Sequence, residues 1–259
     1  MINFLSLTNF YNSEKLITNN QIKFVRSLHL KKNRDAHNCF IVEGKKMVAE
    51  LLKSEFKIQS IFATKDWKNT SIVNEKVQFI SEKQLERIST LKSPNKLIAV
   101  VEKANDKFEI SSILQGLTLV LDEITNPGNL GTIIRLCDWF GVKNIICSSD
   151  SVEFYNPKVI QATMGSFLRV NVYYTDIVAL IKQMPNNFAI YGSFMQGENI
   201  KNVELEENAL LIIGNESIGI SKKLQQVVSK RIVIKSNKSK AESLNVATAA
   251  AILLYEFKR

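Results

Sequence analysis

The sequence has 259 residues, of which 45% are hydrophobic, and its net charge at pH 7 is +9. That length suits two modest domains or one large domain, and no apolar run approaches the roughly 20 residues that a membrane span needs. The three cysteines lack C-x-x-C spacing and there are only two histidines, so we expect no disulfide framework, no metal site and a reducing, cytoplasmic location.

The positive charge is concentrated in the N-terminal part of the chain. Residues 1–110 contain 19 lysines and arginines against 12 acidic residues, whereas residues 111–259 contain 15 against 13. Such a surplus attracts phosphate backbones through Coulomb attraction and counterion release. Solubilising lysines on a solvated face would give the same count, so charge alone leaves both interpretations open. The first residues have no basic start and no small-residue cleavage site, which predicts that there is no signal peptide.

The N-terminal part alternates between helical and strand patterns. Helical spacing runs through Ile22, Val25 and Leu28, and a polar, basic stretch follows at 31–38. Further along, a serine and a glutamine three residues apart form a capping-box pattern at the start of a helix near 82–88. The other predicted elements are a helix at 44–54 and strands at 39–42, 58–63, 77–80 and 97–101. Together they predict a small α/β domain over residues 1–105.

A stretch of mixed charge without a long apolar run, residues 103–112, predicts a linker. A second domain is expected over 113–259, and its strands are near-continuous runs of Val, Ile and Leu, typical of a parallel sheet covered on both faces. Gly141 is well placed to end a helix in a left-handed conformation. The predicted strands lie at 117–121, 143–147, 169–173, 188–191, 209–213 and 231–234, and the predicted helices at 129–140, 157–163, 175–184, 221–228 and 245–257.

Three short segments of this second domain place small and polar residues at the end of an apolar run and the start of a helical pattern. They are Asn126-Pro-Gly-Asn-Leu-Gly-Thr-Ile-Ile-Arg135, Ile213-Gly-Asn-Glu-Ser-Ile-Gly219 and Ser243-Leu-Asn-Val-Ala-Thr-Ala-Ala250. An open α/β sheet builds its ligand sites at such strand ends. Exposed backbone groups around Gly214 and a long polar loop over 235–245 suit a flat heteroaromatic group such as adenine.

Several common activities lack the residues that they need. Gly214 and Gly219 have the separation of P-loop glycines, but Ile220 and Ser221 stand where Lys and Ser/Thr are required, which argues against nucleotide hydrolysis. Neither domain has a G-x-G-x-x-G after its first strand, which argues against dinucleotide binding. There is no G-x-S-x-G elbow and both histidines lie far upstream, which argues against a serine hydrolase.

In this order and at this spacing, the three segments closely resemble the motifs of the SpoU/TrmH family of RNA ribose methyltransferases, members of the SPOUT class. The resemblance covers residues 117–259, and the N-terminal part, with its Glu43-Gly44 step after the first strand, is similar to the RNA-binding domain often fused to these enzymes. It implies an α/β fold: a C-terminal, Rossmann-like parallel-sheet domain tied in a trefoil knot, and a small N-terminal α/β RNA-binding domain. Such knots are exceptions to the rule of unthreaded connections.

The resemblance also implies roles for individual residues. It makes four residues catalytic: Arg135, Asn129, Asn245 and Ser243. It assigns six residues to binding of the cofactor, S-adenosylmethionine, largely through the backbone: Ser193, Gly214, Asn215, Glu216, Ile234 and Leu244. A guanidinium is a poor base, so the milder interpretation of the arginine is that it binds the adjacent phosphate and stabilises the developing oxyanion. We expect RNA to bind basic residues of the N-terminal domain: Lys23, Arg26, Lys31, Lys32 and Arg34.

Purely structural interpretations stay open for these residues. Arg135 could be a helix-surface arginine paired with Asp138, three residues on. Glu216 could be a solvated loop carboxylate or could accept hydrogen bonds from backbone amides of the neighbouring loops. Asn245 sits where a helix N-cap belongs, and Ser193 follows a predicted strand, where serine is common.

A second basic run starts just after the second motif and reaches almost to the third. It could steer an RNA backbone toward the site, or it could be a solvated face. Its members are Lys222, Lys223, Lys230, Arg231, Lys235, Lys238 and Lys240.

The resemblance implies a homodimeric, metal-independent enzyme that transfers a methyl group from S-adenosylmethionine to a ribose 2′-hydroxyl of structured RNA. Ribosomal RNA is favoured over transfer RNA because the extra N-terminal domain is similar to that of the ribosomal members. The last helix is expected at the dimer interface through Leu253, Leu254 and Phe257, although a core within one chain would look identical. Two alternatives remain: a non-catalytic RNA-binding protein that kept the fold, and an RNA base methyltransferase.

Overall fold

The structure, a computed structural model, describes residues 17–65, 67, 77–104, 108–237 and 242–259. The chain divides into two compact units, Met1–Asn105 with Tyr155–Gln161 and Asp106–Phe154 with Ala162–Arg259. Within the described ranges, no helix is long and apolar enough to cross a bilayer.

The N-terminal unit contains a mixed sheet in the strand order β1-β4-β2-β3. Strand β4 is antiparallel to both β1 and β2, and β2 is parallel to β3. The predicted small α/β domain is confirmed. Its described helices and strands are α1 (Asn19–Ser27), α2 (Lys31–His37), β1 (Cys39–Glu43), α3 (Lys45–Leu51), β2 (Ile58–Ala63), β3 (Val77–Phe79), α4 (Glu82–Ile88) and β4 (Leu97–Glu102).

Helices α1 and α4 begin with the reciprocal side-chain caps of a capping box. In α4 the Gln84 amide N–H donates to the Ser81 hydroxyl and the Ser81 N–H donates to the Gln84 side chain, as predicted. These bonds satisfy backbone donors that a helix start leaves without partners. The two helices pack together, and Val25, Leu28 and Ile88 are fully buried in the core they share with the sheet.

The basic stretch 31–38 forms a helix, α2, and one of its arginines points inward. Arg34 is only 2% exposed, and its Nη1 donates to the carbonyl oxygens of Leu28 at 2.8 Å and His29 at 2.9 Å. These carbonyls follow the end of α1, where the helix itself supplies no donors. The prediction that Arg34 binds RNA is therefore wrong, because its guanidinium bonds the chain's own backbone.

One of the other predicted RNA-binding residues, Lys31, forms an ion pair within the protein. The Asp35 carboxylate accepts from the ammonium groups of Lys103 at 2.6 Å and Lys31 at 2.7 Å, and these bonds lower the pKa of Asp35 to about 2. The charge of Lys31 is therefore partly neutralised. The other three predicted residues are exposed: Lys23, Arg26 and Lys32.

The rest of the chain builds a six-stranded sheet in the order β10-β8-β9-β5-β6-β7, with every neighbouring pair parallel. The predicted parallel sheet is confirmed. Its described elements are β5 (Leu117–Leu121), α5 (Pro127–Trp139), β6 (Asn144–Cys147), α6 (Pro157–Thr163), β7 (Asn171–Tyr174), α7 (Ile177–Ile181), β8 (Ala189–Asn199), β9 (Ala209–Ile213), α8 (Lys222–Gln225), β10 (Lys230–Val233) and α9 (Val246–Lys258).

The strand order reverses direction between β5 and β9. From β5 the chain moves outward through β6 and β7, and it then crosses to the other side to form β8, β9 and β10. Leu121 is level with Ile213 in the register, so β5 and β9 end together. A parallel sheet offers a crevice beyond the carboxyl ends of its strands at such a switch point, and ligands bind there.

Strand β8 is longer than predicted, and this changes the position of Ser193. Its partner β10 pairs with Gly192 through Arg231 and then with Glu198 through Ile232, so the register shifts and the intervening residues bulge. The strand continues to Asn199. Ser193 therefore lies within the strand and not after it, which corrects the prediction.

The two helices that follow the first and third motifs start with asparagine caps and pack against each other. Helix α9 buries Leu253 and Leu254 completely, and the Phe257 ring lies edge-on to Tyr191 at 5.1 Å. Leu253 and Leu254 form core within one chain, so the expectation that these two make a dimer interface is wrong, whereas for the half-buried Phe257 it stays a prediction. Gly141 ends α5 with a φ of 70°, in the predicted left-handed conformation.

Replacing Arg34 by Ala should destabilise the protein by about 2 kcal/mol or more, because the buried Leu28 carbonyl and the partly buried His29 carbonyl lose a charged donor. The free energy of unfolding, measured by urea titration, checks this. Lys32→Ala is the matched control on the same helix, since Lys32 is exposed, and should change stability by less than about 0.5 kcal/mol. Equal stability of the two variants would contradict the structural role of Arg34.

Candidate active site at the carboxyl edge of the parallel sheet

The first motif begins after the short connection that follows strand β5, and it forms the start of helix α5. Asn126 is the N-cap of this helix, and its Oδ1 accepts from the amides of Gly128 at 2.8 Å and Asn129 at 3.1 Å. Pro127 occupies the first helical position, where its fixed φ suits a helix and no N–H is required. This cap places Asn129 in the first turn, next to the sheet edge.

The second motif is a tight turn that closes on itself after β9. The Asn215 carbonyl accepts from the Gly219 amide at 2.9 Å, and the Asn215 side-chain oxygen accepts from the Ser217 amide at 2.8 Å. A Cβ on Gly214 would lie 2.2–2.4 Å from backbone atoms of Gly219 and Ile220. Because backbone cannot give way as a side chain can, only glycine fits at position 214.

The third motif supplies the N-cap of the last helix. The Asn245 Oδ1 accepts from the Ala247 amide at 3.0 Å and the Thr248 amide at 3.4 Å, as predicted for an N-cap. This use of the oxygen fixes the orientation of the side-chain amide, whose Nδ2 must then point away from α9. It donates to the Asn129 Oδ1 at 3.1 Å.

A hydrogen-bond chain joins the three motifs. Asn129 accepts from Asn245 through its oxygen and donates through its Nδ2 to the Glu216 carboxylate. The direction of every bond follows from the Asn245 cap, because each amide has one donor side and one acceptor side. Residues that are 87 and 116 positions apart along the chain thus meet at one point. The partner of Glu216 is a side-chain amide, not the backbone amides considered from the sequence.

Arg135 lies on α5, six residues after Asn129, and is exposed. The suggested surface pair with Asp138 does not form, since the Asp138 carboxylate accepts from Arg169 at 2.8 Å and from the Ser166 hydroxyl at 2.7 Å. Within the part of the chain that the structure describes, the Arg135 guanidinium has no hydrogen-bond or ion-pair partner. Its donors are available to a ligand.

The other predicted site residues follow the same edge without joining this hydrogen-bond chain. Ser193 comes one residue after Gly192, which pairs with Ile212, so it is level with the end of β9 and half-buried. Ile234 directly follows β10 and is half-buried. Ser243 is exposed and Leu244 is 45% exposed, immediately before the Asn245 cap.

Two residues at the end of β5 contact the second motif and were not recognised from the sequence. The Asp122 carboxylate is 4% exposed and accepts from the Ser221 amide at 2.7 Å. The Glu123 carbonyl accepts from the Asn215 side chain at 2.9 Å, and Glu123 has a φ of 56°. An acidic residue directly after a buried strand is a signal that could have indicated Asp122, whereas the left-handed backbone of Glu123 has no marker in the sequence.

The cysteines offer no reactive thiol at this edge. Cys137 and Cys147 are fully buried, and burial raises the pKa of both thiols because a thiolate would be desolvated. Among the residues that the structure covers, no group of three or more His, Cys, Asp or Glu side chains could hold a metal ion.

The second basic run is only partly available to RNA. Lys230 pairs with Glu206 at 2.7 Å, and the Arg231 guanidinium lies over the Phe194 ring at 4.4 Å. Lys222, Lys223 and Lys235 are exposed, whereas Lys238 and Lys240 lie outside the described residues.

Comparison with known proteins decides the family. The SpoU rRNA Methylase family matches residues 116–255, which include all three motifs. This chain belongs to that family. A second match, over residues 19–99, is to the MRM3-like substrate binding domain.

Relatives of this SpoU family member match nearly the whole chain. The 23S rRNA (guanosine(2553)-2′-O)-methyltransferase RlmP of Bacillus subtilis is 28% identical, over 93% of this chain and 96% of its own length. A putative RNA methyltransferase of the TrmH family from Porphyromonas gingivalis has a similar structure, with a TM-score of 0.82, 33% identity and coverage of 93% and 98%. An AdoMet-bound rRNA methyltransferase from Sinorhizobium meliloti has a TM-score of 0.80, 26% identity and coverage of 94% and 97%.

Proposed function

We propose that this protein transfers a methyl group from S-adenosylmethionine to a ribose 2′-hydroxyl of ribosomal RNA. The observation that carries the proposal is the meeting of three family motifs at the sheet's switch point, through the hydrogen-bond chain Glu216–Asn129–Asn245, where Asn129 lies on the same helix as the exposed Arg135. Membership of the SpoU family and the AdoMet-bound relative support the same reaction.

The residues at this edge suit an adenosine-containing methyl donor. The turn at Gly214 and Asn215 presents main-chain groups, and Ile234 and Leu244 offer partly exposed apolar side chains. We assign cofactor binding to these residues together with Ser193 and Glu216. Backbone hydrogen bonds between apolar walls are the usual way to hold a flat heteroaromatic ring. The resemblance also predicts a trefoil knot of these loops, which stays a prediction.

S-adenosylmethionine supplies a methyl carbon on a positively charged sulfur, so the reaction is a direct displacement by the ribose oxygen. The C–S bond would break as the O–C bond forms, S-adenosylhomocysteine would leave with the electron pair on its now neutral sulfur, and the 2′-hydroxyl proton would pass to solvent water. The Arg135 guanidinium binds the neighbouring phosphate and stabilises the negative charge that develops on the oxygen, since it is a poor base. Asn129, Asn245 and Ser243 hold the nucleotide in line, and alignment supplies much of the rate.

In this proposal the N-terminal unit binds the RNA. Its match to a substrate-binding domain and its positive charge support this role. The exposed Lys23, Arg26 and Lys32 of α1 and α2 contact phosphates, with a smaller part for the paired Lys31. Phosphate contacts position the RNA and carry no sequence information. Ribosomal RNA, a cytoplasmic substrate, agrees with three buried, unpaired cysteines.

We also propose a homodimer formed by the outer faces of α5 and α9. Trp139 at the end of α5 is 84% exposed and Tyr255 on α9 is 59% exposed, and these helices pack side by side. Large aromatic side chains are more frequent at protein interfaces than on the rest of a protein surface. The interface residues differ from those expected on sequence grounds, because Leu253 and Leu254 face the core.

Isothermal titration and nucleoside mass spectrometry separate the proposal from its alternatives. Binding of S-adenosylmethionine and a methyl group on the ribose of treated ribosomal RNA are the expected results. A protein that binds RNA but no S-adenosylmethionine would be a non-catalytic RNA-binding protein. A methyl group found on the base would identify a base methyltransferase.

Arg135→Ala should lower the rate of methyl transfer by at least about 100-fold, since a preorganised donor to the oxyanion is lost. Its affinity for S-adenosylmethionine should stay within about threefold, because the proposal assigns Arg135 to the RNA and not to the cofactor. Single-turnover kinetics and titration measure the two effects. Arg135→Lys, which keeps the charge but loses the planar fork, should recover part of the rate. Full activity of the alanine variant would remove Arg135 from the mechanism.

Replacing Lys23, Arg26 and Lys32 together by Ala should weaken RNA binding. It should also make the fall of log affinity with log salt less steep, by about 2 to 3 in the slope or about one for each lost phosphate contact. Filter binding between 50 and 200 mM salt measures both quantities. The control replaces three exposed lysines outside α1 and α2: Lys53, Lys143 and Lys182. If the slope of log affinity against log salt changes equally in both triple variants, RNA does not bind specifically at α1 and α2.

Trp139→Glu should convert the protein to a monomer, because a buried charge at a symmetric interface occurs twice and is strongly unfavourable. Size-exclusion chromatography with light scattering measures the mass. Leu30→Glu is the control, since Leu30 is 56% exposed at the turn between α1 and α2, and it should leave the dimer intact. A dimer that survives Trp139→Glu would place the interface elsewhere.

A further inference from the structure

We propose that Asp122 is a positioning residue for the reaction, which holds the loop 214–220 in its binding conformation with help from the left-handed backbone of Glu123. The inference rests on the proposed function, since it assigns the loop to the methyl donor. Neither residue belongs to the three motifs.

Asp122 holds both ends of this loop. Its backbone N–H donates to the Ile213 carbonyl at 3.0 Å, which fixes the residue just before the loop. Its carboxylate accepts from the Ser221 amide at 2.7 Å, which fixes the residue just after it. Two bonds to one residue therefore set the distance between the loop's entry and exit.

The carboxylate is well placed for this role because it is buried. Asp122 is 4% exposed, and a bond from an N–H to an ionised carboxylate is about twice as strong as a neutral one. Among the described residues, Ser221 is the partner of its side chain. Such a buried acidic group is costly unless it is bonded, so its bond to Ser221 resists opening of the loop.

Glu123 fixes the interior of the same loop. Its φ of 56° is rare for a residue with a side chain, and it turns the Glu123 carbonyl toward the Asn215 side-chain amide, which donates to it at 2.9 Å. The Glu123 N–H donates to the Ser148 hydroxyl at 2.8 Å, after strand β6. The unusual backbone is thus held from two strands and directs one carbonyl at the second motif.

The consequence for the site runs through Glu216. Asn215, bonded to Glu123, immediately precedes Glu216, which accepts from Asn129 at the start of the hydrogen-bond chain. A loop released from Asp122 and Glu123 would therefore move both the backbone groups at Gly214 and the carboxylate that orients Asn129. Loss of affinity for the methyl donor follows, without loss of the RNA surface on the N-terminal unit.

The test compares Asp122→Ala with Asp122→Asn. The alanine variant should bind S-adenosylmethionine at least about tenfold more weakly, with its affinity for RNA unchanged, since one strong bond is lost. The asparagine variant should recover most of the affinity, because its carboxamide oxygen can accept from the Ser221 amide. Isothermal titration with S-adenosylmethionine and filter binding of RNA measure the two affinities, and thermal melting records stability.

Asp176→Ala is the matched control. Asp176 caps α7 by accepting from the Ala179 amide at 3.1 Å, so its removal also costs one carboxylate–amide bond. It should lower the melting temperature but leave affinity for S-adenosylmethionine intact. Equal loss of affinity in both alanine variants, or wild-type affinity in Asp122→Ala, would overturn the proposal. An Asp122→Asn variant as weak as the alanine variant would also overturn it, since charge and not the bond to Ser221 would then matter.

A second pair of variants decides the matter if Asp122→Ala does not fold. Glu123→Val should weaken binding of S-adenosylmethionine, because a β-branched residue disfavours the left-handed conformation, whereas Glu123→Gly should bind it far better than Glu123→Val does. Equal binding by this pair would contradict the role of the backbone. If the unmodified protein itself binds no S-adenosylmethionine, the proposed function fails, and this outcome is distinct from failure of the positioning role.

Discussion

The site depends on one constraint, the orientation of the Asn245 side chain. Its oxygen caps α9, so its nitrogen must donate to Asn129, and Asn129 must in turn donate to Glu216. A primary amide has a donor side and an acceptor side, so one cap fixes the direction of the whole hydrogen-bond chain. Three loops that would otherwise be independent thereby share one geometry.

The parallel sheet brings the loops of this hydrogen-bond chain together. Its buried strands β5 and β9 end at the same level, so the loops that follow them start side by side. The helices α5 and α9 pack on each other, and the Asn245 cap of α9 meets Asn129 in the first turn of α5. Burial of the strands provides stability, and the polar groups at their ends are left for chemistry.

Much of this arrangement could be predicted from sequence because its signals are local. Runs of Val, Ile and Leu predicted β5 and β9, and the position of Asn245 before a helical pattern predicted its cap. The errors concern contacts that no pattern in the sequence records. Arg34 looks like a surface cation in a basic stretch, but the turn between α1 and α2 brings the carbonyls of Leu28 and His29 to its guanidinium.

The remaining differences have the same physical origin. The extent of β8 depends on where β10 resumes pairing after its register shift, which no periodicity records. The faces of α9 that are buried or exposed depend on how it packs against α5, so Leu253 and Tyr255 could not be assigned in advance. The role of Asp122 required a partner 99 residues away.

The order of the site's parts along the chain has a consequence for synthesis on the ribosome. The N-terminal unit precedes every strand of the parallel sheet except for the segment Tyr155–Gln161, whereas Asn245 follows all six of those strands. Domains generally fold as they emerge, N-terminal first. Most of the nucleic-acid-binding part of the nascent polypeptide is therefore made well before the amide network closes, and catalytic competence is among the last properties that the growing chain acquires.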